Sequence, residues 1–443
     1  MSGMTIGMIM FGIMMLMLGL RIHIGISMFL VGASGFVVMN DGAWLPLLNS
    51  LKNIAYARFS NYDLAVIPLF MLMGQFATNG GLSRALFRCV NNFVGHWRGG
   101  VAIAAVGACA AFGAICGSSL ATAATMGQVA LPELRRYKYS GALATGALAA
   151  GGTLGIMIPP SVPLVIYAVL TQESIGKLFM AAILPGIIAM LGYMLVIRIY
   201  VTLKPEAGPA GAKVALGETL RSLVGVIPIM FVFLVVIVGI YDGWANPTEA
   251  ASIGAACCGI LAVVTGKMRM DGMARSLLGT AEATAMIFLV LLGADMLNSG
   301  LAITQMPAEL ALWVKDSGLP PLSVIFAILL IYIFLGCVMD SLAMILLTIP
   351  IFYPIVMGLD LWGLPVADKS IWFGILALMV VEIGLVHPPV GMNIYIINSL
   401  ARDVPITETF KGVIPFLVSD FLRITLLVFF PIISLYLVHT FGG

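Results

Sequence analysis

Along this chain the hydrophobic positions gather into long apolar stretches separated by short polar breaks, with little of the strict alternation that marks half-buried strands. In lipid every backbone polar group must be satisfied within its own segment, so such stretches are helices of about 20 residues. The pattern predicts ten crossings, near 4–20, 23–40, 62–79, 140–170, 175–198, 222–241, 247–265, 280–298, 370–400 and 412–438. Two of these, 140–170 and 370–400, are too long for a simple span and carry double prolines, which predict broken crossings. Two further apolar segments, 99–137 and 320–358, are long enough to enter the membrane twice and are interrupted at their middles by small or polar residues. Each is expected to be a re-entrant hairpin. Four stretches are amphipathic instead. In 82–97, Leu82, Leu86, Cys89, Phe93 and Trp97 share one helical face while Arg84, Arg88, Asn91, Asn92 and His96 take the other. That pattern suits a helix lying in the interface, and weaker versions occupy 44–60, 268–278 and 304–317. The stretch 203–216, centred on Lys204–Gly211, is rich in Pro, Gly and Ala and is expected to be a linker.

The parts on either side of that linker run through the same order of elements: two crossings, an interfacial helix, a crossing, a second interfacial helix, a hairpin, a broken crossing and a last crossing. The letters correspond as well. FGAICGSSLA (Phe112–Ala121) lies against FLGCVMDSLA (Phe334–Ala343), and GIMIPPS from Gly155 against GLVHPPV from Gly384. An internal repeat is expected. With the N-terminus outside, sixteen of the 22 Lys and Arg fall on the inner side and five on the outer, as the positive-inside rule requires. The inner set includes Arg84, Arg88, Arg135, Arg136, Arg221 and Lys267. In this threading one hairpin opens inward and the other outward, so the repeats are inverted, a signature of secondary transporters. The expected architecture is an all-α polytopic membrane protein with about ten crossings and two re-entrant hairpins in two inverted repeats, resembling elevator-type ion transporters.

Composition supports this class. Of 443 residues 61% are hydrophobic and 9% charged, Gly contributes 49, and the mean hydropathy is +1.10. A soluble enzyme, a nucleic-acid binder and a disordered scaffold are excluded. The net charge of +2 is too small to signal a polyanionic partner. The six cysteines form no CxxC pair and are expected to be packing residues, with neither disulfide nor zinc. No Lys or Arg precedes Arg21, so the first apolar run is expected to stay as a helix, not to be cleaved as a signal peptide.

The chemistry is expected where helices break. The four breaks are Cys116–Thr122; Gly151–Gly155 with Pro159-Pro160; Gly336–Ser341; and Glu382–Gly384 with His387–Asn393. Gly and Pro leave carbonyls free there, and freed carbonyls with Ser and Thr hydroxyls are hard oxygen ligands suited to Na⁺. Helix N-termini beyond each tip favour an anion. Asp340 at a tip and Glu382 before a break are costly inside a membrane, so each is expected to ligate a cation, orient freed amides or cap a helix end. Asp420 and Arg423, spaced i, i+3, suit a structural ion pair. Asp295 and Asn298 sit near the outer end of 280–298, where exposure at the interface explains them as well as function does. His387 is either a proton carrier or a backbone-bonding residue. HExxH, GxSxG and P-loop lysine motifs are missing from the sequence, so an ion gradient is expected to supply the energy.

GAICGSSLATAATMG (Gly113–Gly127), LATGALAAGGTLGIMIPPSVPLVIYA (Leu143–Ala168) and HPPVGMNIYII (His387–Ile397) resemble the large membrane subunit of tripartite ATP-independent periplasmic (TRAP) transporters, over essentially the whole chain. The resemblance implies an elevator-type, Na⁺-driven importer of C4-dicarboxylates, 2-oxo acids or acidic sugars in the bacterial inner membrane. It also implies two partners, a small four-helix membrane subunit and a periplasmic solute-binding protein. Carried onto this chain, a first Na⁺ site would use Gly117, Ser118 and Ser119 with the break at Gly152, Thr153 and Gly155. A second would use Gly336, Asp340 and Ser341 with Glu382 and Gly384. Substrate would lie between the tips, touching Ser119, Thr122, Pro160 and Asn393. The second tip lacks the Gly-Ser-Ser run of the first, so the two halves need not hold ions equally.

The corresponding division places scaffold helices and an interfacial arm in 1–60, the first transport half in 61–172, scaffold in 173–279, the second transport half in 280–405 and a last scaffold helix in 406–443. Both termini are expected on the periplasmic side. Competing readings are a stand-alone Na⁺- or H⁺-coupled anion carrier, an intramembrane aspartyl protease using Asp295 and Asp340, and a non-transporting scaffold. The protease reading lacks a GxGD motif. The scaffold reading leaves four helix breaks without purpose.

Overall fold

Apolar runs with few charges leave the backbone no alternative to internal hydrogen bonding. In a computed structural model of the chain, residues 2–265 and 268–442 are described, and among them every regular element is helical. The order is α1 (Gly3–Gly19), α2 (Ile24–Met39), α3 (Trp44–Phe59), α4 (Val66–Asn79), α5 (Leu82–Val94), α6 (Gly100–Cys116) and α7 (Ser119–Arg136). Then come α8 (Gly141–Met157), α9 (Val162–Thr171), α10 (Ile175–Leu203), α11 (Leu216–Val224), α12 (Ile227–Tyr241), α13 (Pro247–Val264) and α14 (Met270–Thr304). The last are α15 (Met306–Asp316), α16 (Pro321–Gly336), α17 (Ser341–Gly358), α18 (Val366–Gly384), α19 (Met392–Leu400), α20 (Ile406–Phe429) and α21 (Ile432–Phe441).

Five of these, α10, α13, α14, α17 and α20, are long and apolar enough to cross a membrane. Three bent pairs bring the total to as many as eight: α4 with its preceding turn and α5 at 68°, α8 with α9 at 41°, and α11 with α12 at 47°. This is a polytopic membrane protein.

The two interrupted segments are helix pairs, α6–α7 and α16–α17, and both long crossings are broken, between α8 and α9 and between α18 and α19. Three expectations change. The interfacial helix expected at 268–278 and the crossing at 280–298 are one 35-residue helix, α14. Gly279 does not stop it, because the ladder continues and Thr280 turns its hydroxyl back onto the Ser276 carbonyl at 2.8 Å. The crossing at 412–438 is divided at Phe430–Pro431, where proline withholds the amide the ladder needs. The linker is strapped down: Ser140 and Gly99 donate their amides to the carbonyls of Ala207 and Gly208 at 3.0 and 2.9 Å, and Gly211 donates to Gly95 at 2.8 Å. Beside it the Tyr139 hydroxyl accepts from the Val101 amide, and burial pushes that phenol up to about 12, so it stays neutral. Lys267, assigned to the inner side from sequence, lies outside the described residues.

Helix pairs meet at small residues. Gly25 and Gly32 of α2 face Gly293 and Gly300 of α14, and Gly146 of α8 faces Gly412 of α20, close enough that a methyl group at Gly32, Gly293 or Gly412 would strike backbone. Lipid tails supply no hydrophobic drive between helices, so such close approach is what holds them together. The most enclosed helices are α6, α8 and α18, nearly all of whose residues are buried. The helix breaks lie among these three.

Candidate functional site

The first tip is set by Gly117, whose φ of +62° ends α6 in the left-handed region where a side chain is strained. Ser118 follows in extended conformation, and its hydroxyl accepts from the Ala121 amide at 3.4 Å to start α7. The second tip places Asp340, also extended, just before α17. Each tip therefore aims the amide-rich, positive end of a helix into the protein.

Both ends meet one side chain. Glu382, in the last turn of α18, is fully buried. Its carboxylate accepts the Ser341 hydroxyl at 2.7 Å and the Ser119 hydroxyl on its other oxygen. These serines are the first residues of α17 and α7, so a single carboxylate joins the two tips. Beside this junction lies a cavity of about 310 Å³. Its lining includes Ser118, Ser119, Asp340 and Ser341 from the tips, Gln75 and Thr78 from α4, and Ala283 and Ile287 from α14.

A set of oxygens surrounds the first break. A Cβ at Gly155 would lie 2.5 Å from the Thr122 hydroxyl and 2.7 Å from the Ser118 carbonyl, and one at Gly117 would lie 3.1 Å from the Pro160 carbonyl. The glycines thus leave those oxygens facing open backbone. The Thr122 and Ser161 hydroxyls are buried without a hydrogen-bond partner. Hard, neutral oxygens left unpaired in a closed space fit a small alkali cation such as Na⁺. In the second half, Gly336 and Gly384 pack face to face, and the Val381 carbonyl lies 3.1 Å from where a Gly336 Cβ would stand. Ser341 there is committed to Glu382, so the second half presents fewer free oxygens.

Not every residue expected at the site is brought to it. Thr153 turns the other way, bonding the Ala150 carbonyl at 2.6 Å and the Tyr193 hydroxyl at 3.1 Å. Gly152 faces Ala123 and the Asn393 amide nitrogen. Asn393 reaches across to the Ala149 carbonyl at 3.3 Å and leaves its own Oδ1 buried and unpaired. Pro160 contributes its carbonyl to the first oxygen set, and Asn393 does not line the cavity. The His387 ring bonds the Pro388 carbonyl and packs edge-on against Phe421, a backbone-bonding role.

Asp420 and Arg423 form the expected buried ion pair at 2.8 Å, and Tyr193 donates to Asp420 at 3.0 Å, its oxygen lying beside the Thr153 hydroxyl, so that polar side chains of α8, α10 and α20 cluster there. Asp295 is held by Arg58 of α3, a structural link between α3 and α14. Among the described residues no group of three His, Cys, Asp or Glu is placed to hold a metal ion, and the six cysteines are free. Sequence reasoning missed Gln75 and Thr78. Their signal was present: two polar side chains three residues apart, on one face of an otherwise apolar span. It missed Tyr193 too, because an aromatic in an apolar helix gives no sign of a buried acceptor elsewhere.

Known proteins resemble this chain at two levels. Two solved transporters share its fold: the Alcanivorax borkumensis YdaH transporter (TM-score 0.57, 13% identity, 88% of each chain) and Neisseria gonorrhoeae MtrF (TM-score 0.52, 12% identity, 89% of this chain and 85% of that one). Closer in sequence, a Pseudomonas aeruginosa C4-dicarboxylate TRAP transporter large permease protein is 35% identical over 89% of this chain and 91% of its own length. A Vibrio cholerae sialic acid TRAP transporter large permease protein is 29% identical over 95% of each. An Oleidesulfovibrio alaskensis isethionate TRAP transporter permease protein is 29% identical over 97% of this chain and 66% of its own length. The family described as tripartite ATP-independent periplasmic transporter, DctM component, matches residues 11–433. With that match spanning nearly the whole sequence, the chain belongs to the DctM family of TRAP transporter large permeases, a multi-pass inner-membrane transport subunit and not an enzyme.

Proposed function

We propose that this chain imports a small organic anion, driven by Na⁺, as the large permease of a three-part transporter. Its partners would be a small four-helix membrane subunit and a periplasmic binding protein that delivers the substrate. The observation that carries the reading is the meeting of two helix N-termini beside one cavity, with Ser119 and Ser341 tied to Glu382 behind them. Two positive helix ends converging on one cavity favour an anionic group. The named substrates of the relatives agree in kind, since C4-dicarboxylates, sialic acid and isethionate are all small organic anions. A C4-dicarboxylate, a 2-oxo acid or an acidic sugar fits both arguments.

Na⁺, when bound, supplies positive charge beside that anion. Ser118, Thr122, Ser161 and the Pro160 carbonyl would hold one ion around Gly117 and Gly155. Gly336, Asp340 and Ser341 with Val381 and the Glu382–Gly384 turn would hold a second. Ser119 belongs to the substrate side of the first tip, with Gln75 and Thr78 across the cavity, whereas Thr122, expected to touch substrate, does not line it.

The charge pattern puts both termini in the periplasm. Gln75, Thr78 and Ala283 would then belong to the inner halves of α4 and α14, and the cavity would open toward the cytoplasm. The corresponding letters, breaks and glycine contacts of the two halves support an inverted repeat. In an elevator movement the hairpins and broken crossings would carry the site past the flanking crossings and interfacial helices.

The test is uptake of a labelled dicarboxylate into proteoliposomes holding this chain and its small subunit, with and without loaded binding protein, under an inward Na⁺ gradient. Uptake requiring both binding protein and Na⁺ is expected. Uptake without binding protein would replace the reading with a stand-alone carrier, and uptake driven equally by protons would overturn the Na⁺ assignment.

A further inference from the structure

On the side assigned to the cytoplasm, two elbows of the chain come together. α4 bends by 68° into α5, and α11 bends by 47° into α12. Where α5 meets α11 there is an open pocket of about 580 Å³, lined by Arg84 and Arg88 from successive turns of α5, Arg221 from α11, and Glu218, Ser222 and Gly225. The three guanidinium groups are exposed, and among the described residues none is ion-paired with a carboxylate. With Glu218 counted, the pocket holds a surplus of two positive charges.

Its surroundings are apolar. α11 buries little beyond Thr219 and leaves Leu216, Leu220, Leu223 and Val224 exposed, while α5 turns Leu82, Leu86 and Phe87 inward. A helix with bare leucines beside an arginine pocket at the membrane surface satisfies both faces only if acyl chains cover the one and an anion fills the other.

We propose that this pocket binds the phosphodiester headgroup of an anionic phospholipid, with Arg84, Arg88 and Arg221 on the phosphate and the acyl chains along Leu220 and Leu223. Arg is suited to the task because its planar fork matches two phosphate oxygens at once. The site lies apart from the tips and the cavity, and its occupant does not depend on which substrate is carried. A lipid seated there would tie the α4–α5 elbow to the α11–α12 elbow and so brace the cytoplasmic side of the fold.

The proposal is tested on the full chain purified with its small subunit, by native mass spectrometry and by thermal unfolding during titration. The probes are phosphatidylglycerol, phosphatidylcholine and inorganic phosphate. Phosphatidylglycerol alone should be retained and raise the unfolding temperature. Each Arg→Gln change should weaken it about fivefold, and R84Q/R88Q/R221Q on the order of a hundredfold, since one basic residue near an anionic surface is worth about 1 kcal/mol. E218Q should tighten binding, which keeps the proposal testable if the triple variant fails to fold. Unchanged phosphatidylglycerol binding in the arginine variants, or in E218Q, would overturn the site. An equal effect of inorganic phosphate would make it a free-anion site. Phosphatidylglycerol bound only when the small subunit is absent would make the arginines a protein-docking surface.

Discussion

Replacing Glu382 separates the two things its carboxylate does. Ser119 and Ser341 are almost fully buried, and both hydroxyls end on Glu382. Each serine is the first residue of its helix, so it has no carbonyl one turn back within that helix to fall back on. Glu382→Leu therefore strands two buried hydroxyls. At about 1–3 kcal/mol for each unsatisfied group, the expected loss is about 2–6 kcal/mol, lessened by the apolar gain of the leucine. Glu382→Gln keeps one acceptor oxygen and adds donors, so each serine can still pair, one as donor and one as acceptor; the expected loss is under about 1 kcal/mol. What glutamine removes is the group's capacity to carry a charge. Thermal unfolding in detergent and Na⁺-dependent uptake in proteoliposomes, read side by side, should show E382L unstable and E382Q folded but with weakened Na⁺ dependence. S119A/S341A in the E382L background should recover most of the lost stability. If E382L were as stable as the native chain, the hydrogen-bond argument would be refuted; if E382Q kept the native Na⁺ dependence, the carboxylate's charge would play no part in coupling.

Other perturbations are sharper but narrower. Gly384→Ala sets a methyl 2.5 Å from the Gly336 Cα, where only backbone can yield; a stability loss of about 1–3 kcal/mol or more is expected, and native-like unfolding would contradict the packing. Removing Asp420 or Arg423 singly leaves an unpaired charge inside the membrane and should cost about 3–5 kcal/mol, whereas D420L/R423M together should cost less than either alone. Asn246 and Glu249 form a reciprocal cap at the start of α13, so Asn246→Ala should lower stability by about 1 kcal/mol without changing uptake. Asp340→Asn, at the half-buried second tip, should leave the protein folded and abolish Na⁺-driven uptake; retained uptake would remove Asp340 from the site.

Much of the architecture was legible from hydropathy because lipid enforces one rule throughout: an apolar run that cannot reach water must be helical. That rule, with glycines and prolines at 116–122, 151–160, 336–341 and 382–393, located the interruptions of both helix pairs and both broken crossings within a few residues. It also made Glu382 conspicuous as an ionisable residue in an apolar run. The rule does not say which glycine or proline stops a helix: α14 runs straight through Gly279, while the expected crossing at 412–438 is divided at Pro431.

Which side chains face one another was decided by tertiary packing. Ser119, Ser341 and Glu382 are far apart in the chain and meet because the starts of α7 and α17 converge on the end of α18. Thr153, two residues from Gly155, points to Tyr193 instead, because a helix turns each successive side chain by about 100° and only the packing of α10 fixes which face is which. The sequence by itself determined the solvent, the helices and their breaks, which are local consequences of composition. The site is a property of how those breaks are brought together, because hydrogen bonds and close glycine contacts act over a few ångströms between residues as much as 263 positions apart.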